Sequence, residues 1–209
     1  GSLDENAWSS ALAATIERHE ALRATFHNDE QGRPYQAIHP RSPAALLLAT
    51  GEPGEGLEAV TRRIADAERA RGVDLSLGPV FRCTLIRAST GDHAAVFTLH
   101  HIVSDGWSVA IFLRGFTEAY GASLAGRAPR LGDLPLRFAD YAMWERERAD
   151  DPGFAEMGRY WKKQLDGAPR SLTLQAPKAR APRESAPPTG ARVQVPLSPS
   201  VDQKLVALG

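Results

Sequence analysis

Residues 94–108 read Ala94-Ala95-Val96-Phe97-Thr98-Leu99-His100-His101-Ile102-Val103-Ser104-Asp105-Gly106-Trp107-Ser108. The first six residues form an apolar run of strand length. Two histidines end it, and an aspartate and a glycine follow before an amphipathic helix begins. A strand that carries a histidine to its open end, with a carboxylate close behind, is a good way to build a base. Histidine is the side chain whose unperturbed pKa lies near neutral pH.

The flanks give this strand partners. Upstream, Val80, Arg82, Thr84 and Ile86 alternate with Phe81, Cys83, Leu85 and Arg87. Thr90-Gly91-Asp92 then makes a turn, so the two strands are expected to form a hairpin. Downstream, Val109, Phe112, Leu113, Phe116 and Tyr120 recur at helical spacing. Earlier, Trp8, Leu12 and Ile16 mark a helix over residues 5–20, with Asp4 as its N-cap. Strands are expected at residues 22–27, 34–38 and 45–49. Leu57, Val60, Ile64 and Ala67 mark a second helix that ends before Gly72.

After a loop at residues 126–135, helices are expected around residues 138–149 and 154–165. Residues 176–188 are rich in proline, alanine and charge and read as an extended connection. A last strand at residues 192–197 and a helix opening at Ser198 or Ser200 complete the chain. Helices and strands in this mixture predict an α/β (α+β) fold with a mixed β-sheet flanked by helices.

Composition narrows the function classes. The chain has 209 residues, and its 25 Lys and Arg balance 25 Asp and Glu. No net field attracts nucleic acid or an anionic membrane. No apolar run reaches membrane-spanning length, and no signal-like segment opens the chain. The single cysteine, Cys83, lies in an apolar strand and reads as buried packing. The profile suits a reducing, cytoplasmic setting.

Adjacent histidines on an extended backbone point to opposite faces, so one of the pair faces a cavity and the other the fold. His101 and Asp105 are four apart, the spacing of a helical metal pair. No further ligand cluster stands nearby in the sequence, and His93 lies more than ~20 Å back along the strand, so no metal site is expected. Both histidines read equally well as hydrogen-bonded groups at a strand end, and Asp105-Gly106 alone is a common turn.

The surroundings add a resemblance. His100-His101-x-x-x-Asp105-Gly106 resembles the signature of condensation domains of nonribosomal peptide synthetases. Arg18-His19-Glu20-Ala21-Leu22-Arg23-Ala24-Thr25-Phe26 is similar to that family's Arg-His-Glu-x-Leu-Arg-Thr-x-Phe motif, with Ala24 in place of Thr. Pro79-Val80-Phe81-Arg82 resembles the start of its central hairpin. Phe138-Ala139-Asp140-Tyr141-Ala142-x-Trp144 resembles its Tyr-x-Asp-Tyr-Ala-x-Trp motif, with Phe138 in place of Tyr. Tyr160-Trp161 and Leu165-x-Gly167-Ala168-Pro169 extend the match.

The resemblance implies a domain of two lobes, each like a chloramphenicol acetyltransferase subunit, with the active site between them. Residues 1–175 correspond to the N-terminal lobe without its first segment. Residues 176–209 correspond to the connection and the start of the crossover toward the C-terminal lobe. The implied reaction is peptide-bond formation in secondary-metabolite and antibiotic biosynthesis. Upstream and downstream peptidyl carrier proteins would present acyl or peptidyl and aminoacyl thioesters on phosphopantetheine, and the lobe itself would bind no cofactor.

Within this resemblance His101 is the expected reacting group, as a general base or as a group that positions the amine. Asp105 is expected to fix the loop by pairing with an arginine, Arg23 or Arg82. Gly106 permits close backbone approach, and its N–H faces the developing oxyanion. His100 is assigned to packing and hydrogen bonding. Trp107 and Ser108 open the next helix, with Ser108 as its N-cap. His19, Trp8, Trp144 and Trp161 read as structural. Two other readings stay open: a coenzyme A-dependent acyltransferase of the same superfamily, and a non-catalytic fragment or binding lobe, the isolated chain being inactive without its other half.

Overall fold

A computed structural model describes residues 2–41, 46–88, 91–149, 151–171 and 195–208. Helix α1 (Glu5–Arg18) leads through a short 3-10 turn (Glu20–Arg23) to strands β1 (Ala24–Asn28) and β2 (Pro34–Ile38). Strand β3 (Leu46–Thr50), helix α2 (Leu57–Arg71), and strands β4 (Phe81–Arg87) and β5 (His93–Leu99) follow. Helices α3 (Gly106–Leu124), α4 (Phe138–Arg148), α5 (Pro152–Gln164) and α6 (Pro199–Leu208) complete the order. The chain divides into two compact units, Gly1–Tyr160 and Trp161–Gly209.

In the first unit β1 and β2 form an antiparallel pair, and β3, β4 and β5 form a mixed sheet in that order. The β3–β4 pair is parallel and is joined through α2, as a parallel pair requires a crossover. The expected hairpin is β4–β5, antiparallel, with Phe81 opposite Leu99 and Arg87 opposite His93. The result is a mixed α/β fold.

Strand β4 is the centre of the packing. Six of its seven residues are buried, which fits a middle strand covered on both faces. Phe81 and Cys83 join Ala11, Leu12 and Ile16 of α1 and Phe112, Phe116 and Ala119 of α3 in one apolar cluster. Phe112 meets Phe81 at 5.2 Å and Phe97 at 5.4 Å between ring centroids, and Trp8 meets Phe116 edge-on at 4.7 Å. Phe81 is fully buried, and truncating a buried aromatic of this kind costs ~3–5 kcal/mol. Trp8 therefore packs as expected.

The sequence and the structure differ in two places. Leu22 and Arg23 belong to the 3-10 turn and not to a strand. The reason lies in Arg23: its guanidinium donates to the carbonyls of Ile16, Glu17 and His39, so it ties off the C-terminal end of α1 and holds the chain curled. Residues 195–197 are irregular, not strand; residues 192–194 and the connection 176–188 lie outside the described residues. Trp144 is half exposed and lies on a ladder with Tyr141, under the Arg148 guanidinium at 4.8 Å, so it packs on its own helix and not in the core. Trp161 is likewise exposed. Among the described residues, no helix is long and apolar enough to cross a membrane.

Candidate active site

Strand β5 ends at Leu99, and the next residue keeps one more rung of the ladder: the His100 N–H donates to the Val80 carbonyl at 2.9 Å. The chain then folds back on His100. Its carbonyl accepts from the Val103 N–H and the Ser104 hydroxyl, each at 3.1 Å. Its Nδ1 accepts from the Ile102 N–H at 3.0 Å. An Nδ1 that accepts carries no proton, so the neutral ring holds its proton on Nε2. His100 is half-buried and occupied with its own loop. His101, one residue on, is exposed.

Asp105 is the N-cap of α3. Its Oδ1 accepts from the Ser108 N–H at 2.7 Å and from the Ser108 hydroxyl at 2.6 Å. The Ser108 hydroxyl, then its amide, hold the Asp105 carboxyl below the usual range, with the Trp107 amide and nearby His101 adding to the effect. Two sequence expectations are corrected here. Asp105, not Ser108, caps the helix, because its carboxylate reaches the amide three residues on while its own backbone stays extended. And Asp105 pairs with neither arginine. Arg23 is taken up by the three carbonyls around the end of α1, and Arg82 by Glu68 of α2, Nε to Oε2 at 2.5 Å. Both partners of that pair are nearly buried.

His101, Asp105 and Ser108 line a groove of about 470 Å³ in the first unit. Leu22, Leu99, Ile111 and Phe112 supply apolar lining, and Leu134, Leu136 and Phe138 add to it from the loop ahead of α4 and the start of that helix. His100, Gly106, Trp107, Arg23 and Arg82 are not among its lining residues; Trp107 projects outward, 79 % exposed. Gly106 has ordinary helical backbone, and a Cβ added there would meet no atom within 4 Å. Nothing within the described residues therefore requires a glycine at this position.

The groove also holds residues that the sequence marks as structural or does not mark at all. His19, at the junction of α1 and the 3-10 turn, lines it together with Arg18, Glu20 and Arg137. Arg18 donates to the Gly132 carbonyl at 2.6 Å, and Arg137 donates to Glu20 at 3.0 Å. These two links hold the loop before α4 in place as a wall. The loop itself is legible as irregular, but nothing in residues 126–135 marks Leu134 as part of a cavity. Among the described residues, no group of three His, Cys, Asp or Glu side chains stands close enough to share a metal. Cys83 is buried in β4, and burial pushes its thiol up to about 11.

Comparison with known proteins finds relatives of this fold and of this sequence. The sequence matches the family described as Condensation domain over residues 1–208. It is 40% identical over 182 residues to a linear gramicidin synthase of Brevibacillus parabrevis, covering 86% of this chain and 4% of that protein. Its fold matches the X-domain from teicoplanin biosynthesis with a TM-score of 0.74 and 34% identity, covering 86% of this chain and 40% of that one. It also matches the first condensation domain of the calcium-dependent antibiotic synthetase, solved with a substrate analogue, with a TM-score of 0.69 and 29% identity, covering 83% of this chain and 42% of that one. The chain thus spans a small fraction of the curated relative and about two fifths of each solved domain.

Proposed function

Since the chain belongs to the condensation-domain family of nonribosomal peptide synthetases, we propose that it supplies one wall of a site that joins two carrier-tethered thioesters through a new amide bond. The observation that carries this reading is His101: an exposed imidazole at a strand end, beside a capped helix start, opening into an apolar groove. Residues 1–175 would be the N-terminal lobe and residues 176–209 the passage toward a second lobe that completes the cavity.

In the reaction the aminoacyl nitrogen attacks the carbonyl carbon of the upstream thioester. The C–N bond forms, the C–S bond breaks, and the upstream phosphopantetheine leaves as a thiolate. His101 accepts the proton that the nitrogen loses, and that proton balances the departing thiolate. The His100 loop and the Asp105 cap hold His101 at the groove. Gly106 lies outside the groove lining; its N–H, at the first position of α3, would serve as an oxyanion donor for a substrate that reaches past the groove to the start of that helix, where the missing Cβ leaves room. Substrates arrive on phosphopantetheine carried by upstream and downstream peptidyl carrier proteins, and the lobe holds no cofactor of its own.

The test uses the complete two-lobed domain with both carriers loaded, and reads the dipeptidyl product. His101→Ala is expected to lose at least ~10²-fold in rate if the ring is a general base. A loss below ~10-fold leaves the ring a positioning role only. Robust transfer from free coenzyme A thioesters, with no carrier present, would overturn the carrier-dependent reading in favour of a coenzyme A acyltransferase. The 209-residue chain by itself is expected to form little product, because an open half-groove does not exclude water from the reacting centre.

A further inference from the structure

Two histidines line the groove, and only one belongs to the strand-end loop. The other, His19, is set by its neighbours on both sides. Its N–H donates to the Thr15 carbonyl at 3.2 Å, closing α1, and its carbonyl accepts from the Leu22 N–H at 3.0 Å, opening the 3-10 turn. Arg18 and Glu20, immediately before and after it, reach across to the loop ahead of α4 and bind Gly132 and Arg137. The backbone at His19 is therefore tied down before, at and after the residue. Side chains held this way offer a preorganised group at low entropic cost.

The imidazole, by contrast, is uncommitted. Among the described residues it has no hydrogen-bond partner, though His19 is half-buried on the groove wall. Neither ring nitrogen is sealed away in the interior without a partner, and the residue lines the groove. Burial, and then Arg18, push its pKa below the usual histidine value of 6.5. The ring is thus neutral at pH 7 and presents one donor and one acceptor nitrogen. The charged or titratable groups that share the groove with it are Arg18, Glu20, Arg137, His101 and Asp105.

We propose that His19 is a second substrate-contacting residue of the groove, whose imidazole hydrogen-bonds an amide of the bound thioester substrate while His101 addresses the reacting nitrogen. The partner chemistry is an amide, of a peptidyl chain or of the pantetheine arm, since a neutral imidazole can donate to an amide carbonyl or accept from an amide N–H. This inference rests on the condensation reading of the same groove.

The experiment compares His19→Ala, His19→Gln and His101→Ala in the complete domain, with loaded carriers. His19→Ala is expected to lower kcat/KM about tenfold, with His19→Gln recovering to within about threefold because its amide keeps a donor and an acceptor. Thermal unfolding midpoints of the three proteins show whether the fold is kept. A His19→Ala protein within about twofold of the unmodified kcat/KM overturns the proposal, as does a His19→Gln protein as impaired as His19→Ala. A direct binding measurement covers the case in which no product forms even in the unmodified domain. Pantetheine bearing an alanyl group through an amide, a non-reacting analogue, is titrated while the His19 ring protons are followed by NMR. A saturable shift at His19 that His101→Ala preserves supports the contact. No shift at His19, with analogue bound elsewhere in the groove, refutes it. Loss of turnover in His101→Ala alone bears on the condensation reading and not on His19.

Discussion

Asp105 reaches forward to Ser108, Oδ1 to amide nitrogen at 2.7 Å and to hydroxyl at 2.6 Å, so the carboxylate of the signature serves the helix that follows it. Asp105→Ala is expected to lose this cap and lower the thermal unfolding midpoint by ~2–4 °C, and Asp105→Ser to lower it less, since serine caps nearly as well. Thermal melts of the three proteins check this. The pH dependence has a defined sign. Ser108 lowers the Asp105 pKa below 3.8, so the contribution is complete above that value and disappears as the pH falls through the folded-state pKa. The difference between the parent and Asp105→Ala should therefore close in strong acid.

Gly106 separates stability from activity. Its backbone is helical and a Cβ would meet nothing within 4 Å. Gly106→Ala should thus raise stability by ~0.4–1 kcal/mol, through the lower entropy of the unfolded chain. In the complete domain the same substitution should slow product formation if the Gly106 N–H meets the oxyanion as proposed, because the added methyl group would crowd that approach. An alanine variant that is both more stable and fully active would remove Gly106 from the site.

Arg82 and Glu68 form a nearly buried pair between β4 and α2. Removing Glu68 strands the Arg82 charge, and Glu68→Leu should cost ~3–5 kcal/mol; Arg82→Met should cost less, because Glu68 keeps Arg71 at 3.8 Å. Replacing both together, Arg82→Met with Glu68→Leu, should restore most of the loss. A double-mutant cycle by chemical denaturation reads the coupling. Double replacement as damaging as the sum of the single ones would mean that the pair is not the cause.

Cys83 should be silent in the folded protein. It is buried, and its thiol sits at about 11, so under mildly alkaline labelling conditions almost none of it is thiolate. Ellman's reagent should react at the rate of unfolding, and at once in concentrated guanidinium chloride. Fast labelling of the native chain would show that β4 opens far more readily than its packing indicates.

The elements are legible in the sequence wherever one face is buried at a regular period. The i, i+4 spacing of Trp8, Leu12 and Ile16 translates into a helix with that side facing inward, and the run from Val80 to Arg87 into a strand buried on both faces. The signature histidines are legible as a strand-end pair for the same reason. Contacts between residues distant in sequence are not. Arg23 and Arg82 look equally available to Asp105, yet one closes a helix with backbone carbonyls and the other pairs with a glutamate fourteen residues before it. Neither choice leaves a periodic trace. His19 reads as structural because its neighbours Leu22 and Phe26 follow a core pattern; the links from Arg18 to Gly132 and from Arg137 to Glu20 bring a second wall over it.

Among the described residues, the hydrogen bonds that seat the strand-end loop begin and end almost entirely within residues 100–109, and the tie outward runs from His100 to Val80. The other wall, with Leu134 and Leu136, is fastened separately, through Arg18 and Arg137. The strand-end loop and the leucine-bearing wall therefore have independent foundations. A lineage of such domains can exchange wall side chains one at a time as its cargo changes, and each exchange leaves the imidazole where it was. Divergence among relatives should accordingly concentrate at residues such as Leu134 and Leu136, while the loop between strand and helix stays fixed.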